Sequence, residues 1–257
     1  MNNNRVANGA SRIMSHMVAW YPDKKSSMEV AKALLDGGSE FIELQFPFSD
    51  PSADGIAIQE ACNKALSAGF TTAAGFDLIR EIVRYNADVP LYVMSYASVV
   101  FARGVDRFVE EAQAAGAKGL IIPDLMPGYD EGLYEEGRRQ EMIIIPVIAP
   151  DISNSRLAQI LALKPAFLYA SLRIGITGKR TDITQEVLSF LRRLDSTGAK
   201  ILAGFGIDSR SQVEDLQEHV YGLIVGSALV RTIASAVVRQ ESVYDAVKAH
   251  INRLVGS

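Results

Sequence analysis

Residues 41–55 read Phe-Ile-Glu-Leu-Gln-Phe-Pro-Phe-Ser-Asp-Pro-Ser-Ala-Asp-Gly, an apolar run followed by a polar, proline-containing stretch. Near-continuous apolar character over residues 41–46 is typical of a parallel strand that is buried on both faces. Pro47 and Pro51 fix their own backbone angles, so they end the strand pattern and stiffen the loop that follows. The segment therefore predicts the carboxyl end of a buried parallel strand and the loop leaving it.

The same strand pattern recurs through the chain, with amphipathic stretches between the runs. Alternating strands and helices favour a parallel sheet, and 257 residues suit a closed barrel of about 250. The competing doubly wound sheet is disfavoured because no glycine-rich dinucleotide fingerprint follows the first strand. The sequence predicts a single-domain (β/α)8 TIM barrel over residues 1–257. The predicted strands are Ile13–Ala19, Phe41–Phe46, Leu91–Ser95, Gly119–Pro123, Ile143–Val147, Phe167–Ser171, Ile201–Gly204 and Gly222–Val225.

Helix signals fill the intervals between these strands. Ser26 and Glu29 have the spacing of a capping box, and Gly37 offers a stop for the same helix. Residues 1–12 carry no such pattern and are predicted to be a loosely ordered tail. The predicted helices are Ser26–Gly37, Thr72–Tyr85, Gly104–Ala115, Tyr129–Glu141, Asn154–Lys164, Thr184–Ser196, Ser209–Leu216 and Ser242–Val255.

Composition excludes several classes of function. The net charge of −4 gives no basic footprint for a nucleic acid, and no apolar run reaches the roughly 18 residues of a membrane span. The first residues lack the apolar core of a signal peptide, and a single cysteine, Cys62, cannot build a disulfide framework. His16, His219 and His250 lie in different elements without ligand spacing, so no metal site is predicted. A cytoplasmic protein is expected.

Glu43 is a carboxylate inside an apolar strand. Charged side chains are almost never buried without a partner or a task. A carboxyl group in a dry barrel mouth has its neutral form favoured, which suits proton transfer. The alternative is a strand-end glutamate that faces solvent or pairs with an arginine.

Asp54 lies in the stiff loop after the two prolines, where it could be held over a pocket. Taken alone, it is as readily a turn residue as a catalytic one, and Asp50 is a candidate cap or turn residue in the same loop. Two carboxylates in different environments can take two roles in one reaction.

Two glycine turns follow the last two predicted strands, at Gly204–Gly206 and at Gly226-Ser227. Barrels often bind phosphate with these two loops and the start of a short helix, because glycine lets backbone N–H groups approach the anion. The connection over residues 173–181 contains two more glycines and resembles a mobile lid, in which Gly178 could add another backbone donor. Ordinary turns and an exposed connection are the alternatives.

Taken together, these motifs resemble the tryptophan synthase alpha subunit family. Residues 43–55, with Gln59 after them, match the family's acidic signature, which is specific. The lid over residues 175–178 and both glycine turns match in order and spacing, although such turns occur in many phosphate-binding barrels. The resemblance runs from about residue 13 to the end of the chain.

The resemblance implies a lyase of tryptophan biosynthesis that cleaves indole-3-glycerol phosphate to indole and glyceraldehyde 3-phosphate. It implies that Glu43 is the main acid–base residue and that Asp54 accepts a hydrogen bond from the indole N–H. Thr177 would orient Asp54. The remaining implied residues are Tyr96, Tyr169 and Phe205 around the substrate, and Gly178, Gly206, Gly226 and Ser227 around the phosphate.

The family also implies a partner, the beta subunit, in an α2β2 type of assembly. Asp50 and Pro51 are the expected contacts with it. Pyridoxal phosphate would belong to that partner only, so no cofactor is expected in this chain. A stand-alone indole-releasing lyase, a mainly regulatory alpha-like subunit, and another phosphate-binding barrel enzyme such as an isomerase are the alternatives.

Several positions depart from the family pattern, and three of them lie near the predicted site. Gln45 stands where the family usually has glycine, on the same strand face as Glu43. His16 stands where an aromatic pocket residue is common, so it is either structural or pocket-lining. Trp20 follows the first strand where the family usually reads Gly-Asp-Pro. These changes bear on substrate shape and partner contacts more than on the chemistry.

Overall fold

The computed structural model describes residues 12–178 and 180–256. Its strands form one parallel sheet in which each strand pairs with its neighbours in barrel order. The predicted barrel is therefore confirmed, with strand bounds that differ from the prediction by at most two residues outside residues 143–148. The strands are β1 (Ile13–Val18), β2 (Phe41–Gln45), β3 (Leu91–Met94), β4 (Gly119–Ile121), β5 (Ile143–Ile145), β6 (Val147–Ile148), β7 (Phe167–Ser171), β8 (Lys200–Gly204) and β9 (Gly222–Val225).

The barrel closes at the segment predicted as one strand over residues 143–147. β5 pairs with β4 on one side, and β6 pairs with β7 on the other. Pro146 separates the two halves because it has no N–H to donate, while its carbonyl still accepts from Tyr169 N–H at 2.9 Å. One barrel strand is thus divided between two neighbours.

Helices surround the barrel, and two corrections concern them. The first helix begins at Lys24, with Asp23 rather than Ser26 as the cap, because the Asp23 side chain accepts from Ser26 N–H. The helices over residues 56–67 and 97–103 were not predicted, and the helix over residues 227–239 was predicted only as the start of a short helix. The helices are α1 (Lys24–Asp36), α2 (Ile56–Ser67), α3 (Thr72–Tyr85), α4 (Ala97–Arg103), α5 (Val105–Ala115), α6 (Leu133–Arg139), α7 (Asn154–Ala162), α8 (Gln185–Asp195), α9 (Arg210–Leu216), α10 (Ser227–Arg239) and α11 (Val243–Val255).

The barrel interior differs between its two ends. At the amino ends of the strands, the rings of Phe41, Tyr92, Phe167 and Tyr221 pack edge to face or tilted, with centroids 5.6–6.5 Å apart. This aromatic layer fills that end of the barrel. The free space therefore lies at the carboxyl ends of the strands, where the loops leave the sheet.

Residues 1–11 of the predicted tail lie outside the described residues. Arg12 is described, and its guanidinium lies 4.3 Å from the centre of the Tyr221 ring. Within residues 12–178 and 180–256, the helices are all too short or too polar to cross a membrane.

Candidate active site

Glu43 is placed in the pocket by strand register. Phe41, Glu43 and Gln45 face the barrel interior, while the intervening Ile42 and Leu44 pack outward against the helices. The Glu43 side chain is 3% exposed, and His16 lies directly opposite it on β1. The two atoms that face each other, His16 Nδ1 and Glu43 Oε2, are 3.2 Å apart.

His16 is the charge partner that Glu43 has in this pocket. Burial alone would lower the pKa of His16, but the Glu43 carboxylate and, more weakly, Asp54 raise it above its ordinary value. The alternative for Glu43, a strand-end side chain that faces solvent or pairs with an arginine, is therefore wrong. Of the two options for His16, the structure shows a pocket-lining position.

Asp54 reaches the same pocket from the loop after β2, and it is held by side chains from other elements. Its Oδ2 atom accepts hydrogen bonds from Gln45 Nε2 and from the Tyr96 hydroxyl, both at 2.8 Å. The Tyr96 oxygen also accepts from Ala53 N–H at 3.1 Å, so it ties down the backbone next to the acid. Burial raises the pKa of Asp54, and His16, Gln45 and Tyr96 oppose that rise.

Gln45 fills the space that a glycine would leave under Asp54. Its Nε2 atom also lies 3.5 Å from Cys62 Sγ, while its Oε1 atom is buried without a hydrogen-bond partner among the described residues. Burial raises the pKa of Cys62 to about 12, so the thiol is a packing group and not a nucleophile. The expected bulk at position 45 acts on Asp54 and not on Glu43.

Thr177 joins the lid to the loop that carries Asp54. Its Oγ1 atom accepts from Gly55 N–H at 2.8 Å, and its own N–H donates to the Ala53 carbonyl at 3.3 Å. A β-carbon on Gly55 would lie 2.2 Å from the Thr177 carbonyl oxygen, so the two backbones are in close contact. Thr177 thus holds the backbone on both sides of Asp54, and the lid is closed.

The opposite wall of the pocket is the start of α10. Gly226 is its N-cap residue, without a capping side chain, and Ser227 is its first residue; both line the pocket together with Gly206. Phe205 and Gly206 have consecutive positive φ angles of 76° and 84°, which turn the chain towards this wall. The first backbone N–H groups of a 13-residue helix therefore face the cavity.

Gly178 is placed differently from the other predicted phosphate residues. It is not among the residues that line the pocket, and its carbonyl accepts from Arg231 Nη1 at 3.2 Å. Its neighbour Lys179 lies outside the described residues. The lid backbone is therefore tied to α10 on this side.

The pocket between these walls encloses about 520 Å³, including its opening to solvent. The Tyr169 and Phe205 rings meet edge to face with centroids 6.0 Å apart, and both line the cavity. Burial raises the pKa of Tyr169 well above its ordinary value, so the ring stays neutral. The apolar lining of the pocket was not predicted from the sequence, although the alternation along the strands could have indicated part of it. The apolar lining residues are Ile58, Met94, Ile121, Val147 and Ile224.

Tyr96 and Trp20 lie outside the cavity lining. Tyr96 stands behind Asp54, where its ring stacks on Phe48 with centroids 5.2 Å apart. Trp20 packs edge to face against Phe70 at 5.7 Å. Tyr96 therefore acts on the pocket through Asp54.

The rim of the barrel mouth carries the predicted partner residues and several that were not predicted. Asp50 is exposed, but Pro51 is buried in this closed form. Large apolar side chains are exposed in the segments that follow β2, β4 and β7 at the carboxyl end of the barrel. These are Ile56, Met126, Tyr129, Ile174 and Ile176. Across the described part of the chain, no group of three histidine, cysteine or acidic side chains is placed to hold a metal ion.

Two buried acids, one fixed by a strand and one by a closed loop, face a helix amino end inside a parallel barrel. This arrangement defines a (β/α)8 barrel enzyme that uses acid–base chemistry on an anionic substrate. The comparisons with known proteins then give the family. The model of the tryptophan synthase alpha chain family matches residues 3–255.

Relatives and solved structures agree with that match. The tryptophan synthase alpha chain of Helicobacter hepaticus is 38% identical over 229 residues, which cover 87% of this chain and 86% of the relative. That of Leifsonia xyli is 37% identical over 231 residues, 90% of this chain and 88% of the relative. A structure of Mycobacterium tuberculosis tryptophan synthase superposes with a TM-score of 0.86 and 28% identity, covering 99% of this chain and 93% of that one.

A structure of the α2β2 tryptophan synthase complex of Pyrococcus furiosus gives a TM-score of 0.86 at 30% identity, over 96% of this chain and 98% of that one. The chain therefore belongs to the tryptophan synthase alpha chain family. The resemblance read from residues 43–55 is confirmed, and with it the class of activity, a lyase of tryptophan biosynthesis.

Proposed function

We propose that this chain cleaves indole-3-glycerol phosphate by a retro-aldol reaction in which Glu43 and Asp54 have separate roles. The observation that carries the proposal is their joint presence in one pocket, 3% exposed each, with different partners. Two carboxyl groups in different environments divide the work of acid and electrostatic partner.

Glu43 is the group placed to move protons. It would protonate the indole carbon that carries the glycerol chain, which converts the ring into an iminium-like electron sink. The carbon–carbon bond then breaks and its electron pair returns to the ring. As the aldehyde forms, the side-chain hydroxyl gives its proton to the Glu43 carboxylate, which restores the acid. Proton transfer by a positioned carboxyl group typically contributes about 10²–10⁴ in rate.

Asp54 is placed to stabilise the positive charge that develops on the indole nitrogen. Its Oδ2 atom is already fixed by Gln45 and Tyr96, so the carboxylate needs no reorientation when the charge appears. Tyr169 and Phe205 supply aromatic walls for the apolar ring. The proposed substrate contacts therefore need the lid closed by Thr177.

The phosphate of the substrate would bind at the start of α10. Gly206, Gly226 and Ser227 line that wall, and helix amino ends bind anions through free N–H groups and positive partial charge. Gly178 would contribute its N–H from the lid. Ser227→Asp would place a carboxylate against the dianion, so it should abolish measurable binding of sn-glycerol 3-phosphate in calorimetry. Unchanged affinity would move the phosphate site elsewhere.

The partner is a beta subunit that carries pyridoxal phosphate, while this chain needs no cofactor of its own. The Pyrococcus furiosus complex is described as mutually activating. Exposed apolar side chains around the mouth, with exposed Asp50 nearby, supply a surface for such a partner here. Because Pro51 is buried in the closed form, Asp50 is the more accessible of the two predicted contacts. A cytoplasmic location is part of this proposal.

The deciding experiment measures indole release by the purified chain, alone and with a cognate beta subunit. Strong stimulation together with complex formation in sizing chromatography is the expected result. High turnover without stimulation would favour a stand-alone lyase. No turnover under either condition, with activation of the beta reaction alone, would favour a regulatory subunit.

A further inference from the structure

His16 occupies the space between the two ends of the proposed substrate site. Its Nδ1 atom faces Glu43 Oε2 at 3.2 Å. On its other side, a β-carbon built on Gly226 would lie 3.5 Å from His16 Cβ and 3.7 Å from His16 Cδ2. The His16 side chain therefore lies next to both the proton-transfer residue and the start of α10.

One nitrogen of this ring has no partner among residues 12–178 and 180–256. His16 Nε2 is buried and makes no hydrogen bond to the part of the chain that the structure describes, although the ring lines the cavity. Nε2 is bonded to Cδ2, which lies on the edge of the ring away from Nδ1 and 3.7 Å from the β-carbon built on Gly226. Buried polar groups are rarely left unpaired, because an unmade hydrogen bond costs its full desolvation. The missing partner is expected to come from a ligand.

We propose that His16 is a substrate-binding residue whose Nε2–H donates a hydrogen bond to a hydroxyl of the substrate's glycerol chain. The inference rests on the proposed function, since the order of groups in the substrate supplies the match. The reacting ring carbon lies at one end, the phosphate at the other, and the hydroxyl groups between them. His16 lies in the same order between Glu43 and the α10 start.

The charges around the ring favour the donor form of Nε2. The groups that act on His16 are the two carboxyl groups of the pocket, Glu43 in direct contact and Asp54 further away. Both raise the pKa of His16 against the effect of burial, so a proton is held on each nitrogen more readily than in a free imidazole. Tyr169, the other titratable wall residue, stays neutral because burial raises its pKa.

Two variants separate the two edges of the ring. In His16→Asn, the side-chain amide can reach Glu43 as Nδ1 does, but no atom reaches the Nε2 position. In His16→Gln, the longer side chain places its amide near the Nε2 position instead. We expect the asparagine variant to bind sn-glycerol 3-phosphate about 10-fold more weakly, as for one lost hydrogen bond, and the glutamine variant to recover part of the loss.

Inorganic phosphate serves as the matched probe, because it lacks the hydroxyl groups. His16→Asn should leave its affinity near the wild-type value while weakening glycerol phosphate. An equal loss for both anions would place the contact on the phosphate itself and overturn the proposal. No loss for either anion would overturn it as well.

A second measurement uses the wild-type protein, so it does not depend on any variant folding. The chain has only three histidines, which makes 15N imidazole resonances simple to assign. Addition of sn-glycerol 3-phosphate should shift the Nε2 resonance of His16, with a smaller change at Nδ1. An unmoved Nε2 resonance at saturation would refute the contact.

The binding and 15N measurements test the His16 contact independently of the cleavage activity. Neither binding nor the nitrogen shift requires cleavage, so a chain that binds glycerol phosphate through His16 but releases no indole would contradict the lyase proposal alone. Rapid cleavage with unaltered binding in His16→Asn would contradict the His16 contact alone.

Discussion

The two acids of the pocket are held in opposite ways. Glu43 is fixed by its own strand, since the β1–β2 register places His16 beside it whatever the loops do. Asp54 is fixed by contacts that converge on its loop from Gln45 on β2, from Tyr96 after β3, from Gln59 on α2 and from the lid. Loops open locally at lower free-energy cost than a barrel strand. The same pocket therefore contains one carboxyl group whose position is set by a strand, Glu43, and one whose position depends on the loops, Asp54.

Removal of the Glu43 carboxyl group should have the largest effect on turnover. Glu43→Gln keeps the size of the side chain but cannot exchange a proton, so indole release should fall by about 10²–10⁴. The measurement is steady-state cleavage at saturating substrate.

Glu40→Gln provides the matched control for Glu43. Glu40 immediately precedes the amino end of the same strand, β2. Its side chain is exposed and forms an ion pair with Arg12. Its loss should leave cleavage near the wild-type rate. Comparable losses in the two variants would show that the strand tolerates no change of charge, and Glu43 would lose its special role.

Asp54→Asn should lower turnover by on the order of 10²-fold, since one preorganised electrostatic partner contributes about 3 kcal/mol. The stability of the folded protein, in contrast, should increase in this variant. Burial raises the pKa of Asp54, so the folded state binds this proton more tightly, and stability falls as pH rises through the raised pKa.

A neutral asparagine removes that cost at neutral pH, and its carbonyl can still accept from Gln45 or Tyr96. The variant should gain about 1 kcal/mol in urea unfolding at pH 7, and the gain should shrink in acid. Reduced stability at pH 7 would contradict the electrostatic account.

Thr177→Val tests whether the loop acid depends on the lid. Valine has nearly the shape of threonine but cannot accept from Gly55 N–H. Turnover should fall about 10-fold, and a beta subunit should restore part of it by favouring the closed form. A variant with full activity would mean that Asp54 is held without the lid.

Tyr96→Phe should have the smallest effect in this series. It removes one of two donors to Asp54 Oδ2, while the Gln45 donor remains, so turnover should fall less than 10-fold. Tyr92→Phe, in the aromatic layer at the other end of the barrel, is the matched control. Equal losses in both variants would show a general packing effect.

Strand positions could be predicted from sequence because their signal is local. The alternation at Phe41, Glu43 and Gln45 places all three side chains on one face without any knowledge of the rest of the chain. The His16–Glu43 contact could not be predicted, because it depends on the register between two strands, and the two paired residues are 27 positions apart along the chain. Only the closed barrel sets that register.

The missed helices had weak signals at their starts. α2 begins after Gly55 and α4 after Tyr96, and neither residue caps its helix with a side chain. For α1, Ser26 and Asp23 are both good capping residues, and the choice was settled by geometry that the spacing does not show. The partners of Asp54 were hidden for the same reason as His16, since Tyr96 is 42 residues away.

Because Gly55 has no β-carbon, its contact with Thr177 offers a way to control the lid by a single mutation. Since a β-carbon on Gly55 would lie 2.2 Å from the Thr177 carbonyl, Gly55→Ala acts as a wedge that no side-chain rotation can relieve. The barrel beneath would remain intact while the lid is propped open. Such a wedge would supply a trapped open form for crystallography, and a tethered probe on the lid would convert its closure into an optical signal.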